Sequence, residues 1–260
     1  MICDWSSCSS EIKDFMFYLL DGTKEMISEK FIGFYIHGSL AMGGFNPKSS
    51  DIDVLVVTNS LLAINIKVEL AQFFLINSNN PFPVEISFMN GEQLEDWKHP
   101  SLFDFHYSEN WRERYEKDLS NGTSLYINDK QIQDADLAAH ITITKHRGIC
   151  LEGSPINNVF PSIPRSDYIT SIMCDFEDCL EDIERNPIYC TLNLIRVYWY
   201  LKEGIISSKQ EAGNWGLSSL PKDLNSTIQK VISGYDSIDF DKKELQKFKD
   251  YIYRNVQMLL

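Results

Sequence analysis

Apolar residues follow two rhythms along this chain, and the change from one to the other divides it. From Ser9 to Glu29 the spacing of Ile12, Phe15, Met16 and Leu19 predicts an amphipathic helix, interrupted at Gly22. Phe31 to His37 and Ile52 to Val57 are runs rich in aromatic and β-branched residues and read as strands. Gly38 stops the first, and Gly43, Gly44, Asn46 and Pro47 predict turns before the second. Leu61 to Asn77 returns to helical spacing through Leu62, Ile66, Leu70, Phe73 and Phe74, as a helix crossing back over a sheet would. Asn79, Asn80 and Pro81 make a turn, and Val84 to Met89 reads as a third strand. Residues 90–133 show little pattern; Asp134 to Arg147 is helical, with Gly148 as its C-cap.

Glu152 to Pro155 and Pro161 to Pro164 read as a linker. Beyond it only helical periodicity remains: Tyr168 to Arg185, a helix apolar nearly all round from Ile188 to Lys202, then 224–234 with Gly234 as cap, and 241–258. The expected fold is α+β, with a mixed sheet flanked by helices in residues 1–155 and an all-α domain in 156–260.

Composition narrows the partners. With 260 residues, 43% of them hydrophobic, the chain can bury ordinary cores. Its net charge of −13 disfavours a nucleic-acid partner, which needs a basic surface, and favours a cationic small molecule. Most of the acidic excess lies before residue 155. The six cysteines show neither a C-x-x-C pair nor a ladder of spacings, so reduced thiols in a cytoplasmic protein are expected; a monomer is expected as well. The first residues lack the basic and apolar regions of a signal peptide, and no apolar run is long enough to span a membrane.

Side chains alternate along a strand, so Asp51 and Asp53 point one way while Ile52, Val54 and Val56 point the other. Paired carboxylates repel unless a cation sits between them, and Mg²⁺ suits hard oxygen ligands. If Val84, Ile86 and Phe88 pack on the core of Ile52 and Val54, Glu85 joins the aspartates. The acids of the helix after Tyr168, among them Asp178 and Asp182, are either a solvated face or a lining for a cation. Arg196, inside an apolar helix, needs an anion, whether from a ligand or from a structural ion pair. His140 and His146, six residues apart, diverge on a helix, so no histidine metal site is expected.

Gly38-Ser39 followed by Asp51-Ile52-Asp53 resembles the signature of the nucleotidyltransferase superfamily of DNA polymerase β type. With Gly43, Gly44, Ser50 and Leu55 it is similar to the streptomycin and spectinomycin adenylyltransferases. That resemblance implies an Mg²⁺-dependent transfer of AMP from ATP to a drug hydroxyl, with two ions held by Asp51 and Asp53, aided by Glu85 or the phosphates. It implies Glu85, in V-E-I-S-F, as the base. Gly38 and Ser39 would contact the terminal phosphates, assisted by Ser50, and Arg196 and Lys209 would reach the triphosphate from the helical domain. Trp111, in a stretch resembling the family's G-E-W loop, becomes either a wall for the drug or a core plug.

The sequence departs from the family in two respects that bear on substrate, one of them a tryptophan, a helix turn or more ahead of the drug-contacting aspartate, that is absent in both registers. The drug-contacting aspartate is missing in either register, and Asn186 stands there in one of them. A doubly guanidinylated drug such as streptomycin loses most by that absence, so spectinomycin is the expected substrate. The alternatives are another acceptor, a lincosamide or a protein hydroxyl, or a nucleotide-binding protein without turnover.

Overall fold

The computed structural model describes residues 2–128, 132–234 and 240–260. The chain packs as two units, Met1–Tyr168 and Ile169–Leu260.

The first unit comprises α1 (Ser10–Ile27), β1 (Phe31–Ile36), α2 (Gly38–Met42), β2 (Ile52–Thr58), α3 (Ile64–Asn77), β3 (Val84–Asn90), α4 (Gly91–Glu95), β4 (Ser101–Leu102), β5 (Phe105–Tyr107), α5 (Arg112–Asn121), β6 (Gln133–Asp134), α6 (Leu137–Arg147), β7 (Ile149–Gly153) and α7 (Ile156–Val159). Five strands form one sheet in the order β5-β3-β2-β1-β7. β2 and β3 are parallel, as the crossover through α3 requires, and the other neighbours are antiparallel, so the sheet is mixed.

Both faces of this sheet are covered. Ile52, Val54 and Val56 pack with Ile12, Met16 and Leu19 of α1 and Leu70 and Phe74 of α3. Leu55 and Val57, which point the other way, pack with Tyr35, Met89 and Leu137 and Ile141 of α6. Each such buried side chain is worth roughly 1.5–3 kcal/mol. The face that carries Asp53 is therefore a second core over most of its area, not an open edge. Phe103, Trp111 and Phe160 extend it.

Several boundaries differ from the periodicity. α1 runs unbroken through Gly22, because Phe73 of α3 occupies the space a β-carbon would take, 2.6 Å from it. The helix expected from Asp134 starts at Leu137, since Gln133–Asp134 pairs with β4 instead. Gly148 ends α6 in an extended conformation, not the left-handed one of a helix cap; its missing side chain admits the Thr144 carbonyl. Residues 149–153 are an edge strand, which takes in Glu152 and Gly153 of the expected linker. Gly153, at φ +117°, lies against Gly33, and the Tyr35 hydroxyl donates to the Ser154 carbonyl at 2.8 Å. Residues 156–168 pack with the first unit: Phe160 meets Tyr35 edge-on, and the Lys145 ammonium donates to its carbonyl.

The second unit is helical. α8 (Arg165–Asp182) runs into it, followed by α9 (Pro187–Glu203), α10 (Lys209–Ser219), α11 (Asn225–Ser233) and α12 (Lys242–Gln257). α9 is the central element, with α10, α11 and α12 packed around it. That explains its all-round apolar surface: Leu194 and Ile195 are fully buried. Gly234 ends α11 in the left-handed region, as its position predicts. Among the described residues no helix is long and apolar enough to cross a membrane, and the six cysteines are free thiols.

Candidate active site

The geometry begins at the turn between β1 and α2. Gly38 has φ +58°, and a β-carbon there would lie 1.8 Å from Asp53 Oδ2, so only glycine fits both the backbone and the carboxylate beneath it. The His37 N–H donates to the Asp53 carbonyl at 3.0 Å, and the Ser39 N–H donates to Asp53 Oδ2 at 3.4 Å. Ser39 Oγ is buried and has no hydrogen-bond partner among the described residues. A buried hydroxyl in that state fits a ligand that brings its own polar atoms, such as a phosphate.

Asp53 and Glu85 are register partners on the parallel strands β2 and β3, so their carboxylates face the same side, one strand spacing apart. Asp51 precedes β2 and is exposed. Among the described residues no three His, Cys, Asp or Glu side chains close into a metal cage. The all-oxygen donor set fits Mg²⁺ provided that ligand oxygens complete the shell. The Ser50 hydroxyl accepts from the Asn46 N–H at 3.0 Å and closes the turn ahead of Asp51.

His140, which spacing set aside as a metal ligand, and residues it did not single out complete the charge pattern. α6 places His140 Nε2 3.9 Å from Glu85 Oε1, with its ring 4.8 Å from that of His37. Burial raises the Glu85 pKa to about 7; His140 pulls it back, while Asp53, Asp134 and Asp136 push it further up. Burial alone would depress His140, but Glu85, Asp134, Asp136 and Asp53 outweigh it and raise its pKa. Burial and His140 together hold His37 well below the usual range. Burial brings His106, whose Nδ1 shares a hydrogen bond of 2.9 Å with the Ser87 hydroxyl, down to about 4.

These directions have a spectroscopic consequence. Imidazole ¹⁵N spectra of the ligand-free protein at pH 6 should show His37 and His106 neutral and His140 protonated. His106 titrates near pH 6.5 unfolded and near 4 folded, so its stabilising contribution is complete above pH 6.5 and is lost as pH falls toward 4. Protonation of His106 in the folded protein at pH 6 would contradict the assignment. His146 is exposed on α6 while His140 is half-buried, which agrees with their predicted divergence.

Trp111 is half-buried in an aromatic cluster, edge-on to Phe103 at 5.8 Å, His106 at 5.4 Å and Tyr115 at 5.8 Å. The Arg114 guanidinium lies 4.9 Å over its ring. In the helical unit Arg196 Nη2 meets Asp175 Oδ2 at 3.6 Å, the ion pair its semi-buried position requires. Lys209 begins α10, its ammonium 3.9 Å from the centroid of the Tyr189 ring. Asp182 pairs with Arg185 at 2.7 Å, and Asp178 is exposed. The Asn186 side chain caps α9 by accepting from the Tyr189 N–H.

Residues 20–117 match the family model of the nucleotidyltransferase domain, and with the strand, Gly-Ser turn and carboxylates just described they define the chain as a nucleotidyltransferase. Residues 158–255 match the model of the aminoglycoside adenylyltransferase C-terminal domain. The two models lie side by side along most of the chain, which belongs to the aminoglycoside adenylyltransferase type of nucleotidyltransferase.

Individual relatives agree. A spectinomycin 9-adenylyltransferase of Staphylococcus aureus is 27% identical over 85% of this chain and 84% of its own length. One from Enterococcus faecalis is 24% identical over 91% and 92%. The aminoglycoside (3'')(9) adenylyltransferase of Klebsiella pneumoniae is 23% identical over 84% of each. The fold is shared with a spectinomycin adenyltransferase from Enterococcus faecalis, solved with ATP and spectinomycin: the TM-score is 0.77 at 21% identity, covering 94% of this chain and 99% of that one.

Proposed function

We propose that this enzyme transfers the AMP moiety of ATP to a hydroxyl of an aminocyclitol antibiotic, with spectinomycin preferred to streptomycin, and releases pyrophosphate. The observation that carries the reading is Asp53 beneath the Gly38-Ser39 turn with Glu85 in register beside it, and the Ser39 hydroxyl left for a ligand. The names of the relatives supply the class of acceptor.

In this reading Asp51 and Asp53, aided by Glu85 or by the phosphates, would hold two Mg²⁺ ions, which when bound would neutralise the triphosphate and polarise the phosphoryl oxygens. Ser39 and the Gly38 backbone, with Ser50, contact the terminal phosphates. Arg196 and Lys209 meet the triphosphate as a forked donor and a point charge. Glu85 accepts the proton of the drug hydroxyl; the oxygen attacks the α-phosphorus, and the bond to the bridging oxygen breaks to free pyrophosphate. Trp111 and the acidic face of α8 around Asp178 and Asp182 receive the cationic drug. Asp182 is available for that role because its pairing with Arg185 is an exposed one, and such pairs are weak.

Incubation of the purified protein with α-labelled ATP, Mg²⁺ and a panel of aminoglycosides and lincosamides tests the reading; label on none of the drugs would sink it. The preference rests on the missing aspartate; in one register Asn186, a neutral helix cap, stands where that fixed anion would be. Expression in a susceptible host should raise the minimum inhibitory concentration of spectinomycin and leave that of streptomycin near the host's own. Resistance to streptomycin alone would reverse the preference.

A further inference from the structure

Two of the cations assigned to the triphosphate are joined through one side chain. Tyr189, on the first turns of α9, donates its hydroxyl hydrogen to Asp175 of α8, with its oxygen 3.1 and 3.2 Å from the two carboxylate oxygens. The same carboxylate holds the Arg196 guanidinium at 3.6 Å. The aromatic face of Tyr189 carries the Lys209 ammonium at 3.9 Å, close for a cation–π contact. Behind the carboxylate, Cys179 Sγ donates to Asp175 Oδ1 at 3.7 Å, and the buried Asn193 amide donates to Cys179 Sγ at 3.4 Å. Asp175 is thus fixed from two helices. Arg196 meets it through one nitrogen of a planar fork with five donors, a geometry that suits simultaneous contact with an anion.

We infer that Tyr189 and Asp175 are positioning residues for nucleotide binding, which hold Arg196 and Lys209 in a shared arrangement before the triphosphate arrives. The inference rests on the proposed assignment of those two cations to the triphosphate. Its physical basis is preorganisation. Long, flexible Arg and Lys side chains lose rotamer freedom when they bind a ligand, and a protein that has already ordered them loses less at that moment. The phenol serves both cations by different chemistry: its ring holds the lysine, and its hydroxyl holds the carboxylate that holds the arginine.

The test is calorimetric titration of ATP with Mg²⁺ into the full-length protein, together with initial rates against the antibiotic. Tyr189→Phe keeps the ring and loses the hydroxyl, and Asp175→Asn keeps a hydrogen-bonding group and loses the charge. Each should weaken ATP binding roughly 3- to 10-fold, the range of one coupled polar contact, while KM for the antibiotic stays unchanged. Tyr189→Leu, which loses ring and hydroxyl, should weaken it further. In an Arg196→Gln background Tyr189→Phe should add nothing, because its hydroxyl acts through the arginine. A purely structural role would lower the unfolding temperature and alter both KM values together. The inference is overturned if Tyr189→Phe and Asp175→Asn bind ATP like the unaltered protein, or if the Tyr189→Phe loss is undiminished without Arg196. If Arg196→Gln leaves ATP binding intact, the triphosphate assignment falls and this inference with it, while the role of the carboxylates stands. Absence of ATP binding by the unaltered chain overturns both.

Discussion

Replacing Asp53 by Asn should reduce nucleotidyl transfer by about three to four orders of magnitude, because several kcal/mol of charge stabilisation at the reacting phosphate is lost with the carboxylate. Asn has the same shape, so the close fit under Gly38 survives, and its amide oxygen can still accept from the Ser39 N–H. The unfolding transition should therefore stay near that of the unaltered protein. Asp51→Asn, at an exposed position ahead of the strand, should act in the same direction. A further consequence separates a charge effect from misfolding: Asp53 is one of the groups that raise the Glu85 pKa, so Asp53→Asn should let that pKa fall. Steady-state transfer, thermal unfolding and carboxyl ¹³C titration measure the three outcomes. Substantial transfer by both variants would remove these aspartates from the chemistry.

Glu85→Gln should leave ATP binding largely intact and lower the transfer rate by roughly 10²-fold or more, the usual contribution of a general base. Glutamine keeps the size of the side chain beside Asp53 but cannot accept a proton. Burial holds the free-enzyme pKa of Glu85 near 7, which places a base where it is both deprotonated and basic enough at neutral pH. Calorimetry with ATP and single-turnover rates distinguish the roles open to this residue. If ATP binding collapses together with the rate, Glu85 serves mainly as a metal ligand.

The strand, turn and carboxylates are legible in the sequence because they are local. Gly38, Asp51 and Asp53 lie on one local β1-α2-β2 segment, and the two-residue period of a strand settles which side chains share a face. Glu85 follows by the same parity once β3 is taken as the parallel neighbour of β2. The helical unit is readable for the same reason: its stripes repeat every three to four residues, and α8, α9, α11 and α12 fall within a few residues of their periodicity. α10 carries no clear stripe, and only its packing against α9 reveals it.

The environment of the carboxylates is a different matter. β2 is apolar at both parities, with Leu55 and Val57 on the same side as Asp53, and that alone shows that something must cover this face. The sequence does not say what. α6 covers it, and in doing so sets His140 beside Glu85 and His37, with Asp134 and Asp136 close enough to shift both pKa values. β7 closes the far side of β1 from a stretch that the sequence did not mark as a strand and whose end reads as linker, because an edge strand needs only backbone pairing and can do without an apolar period. Arg196 shows the division most plainly. Its burial in an apolar helix establishes from sequence that an anion must be near, since an unpaired guanidinium is costly to bury. Which anion it is depends on α8 and α9 packing so that Asp175, twenty-one residues away in the chain, lies within reach, and no local spacing encodes a contact that only the packing of two helices creates.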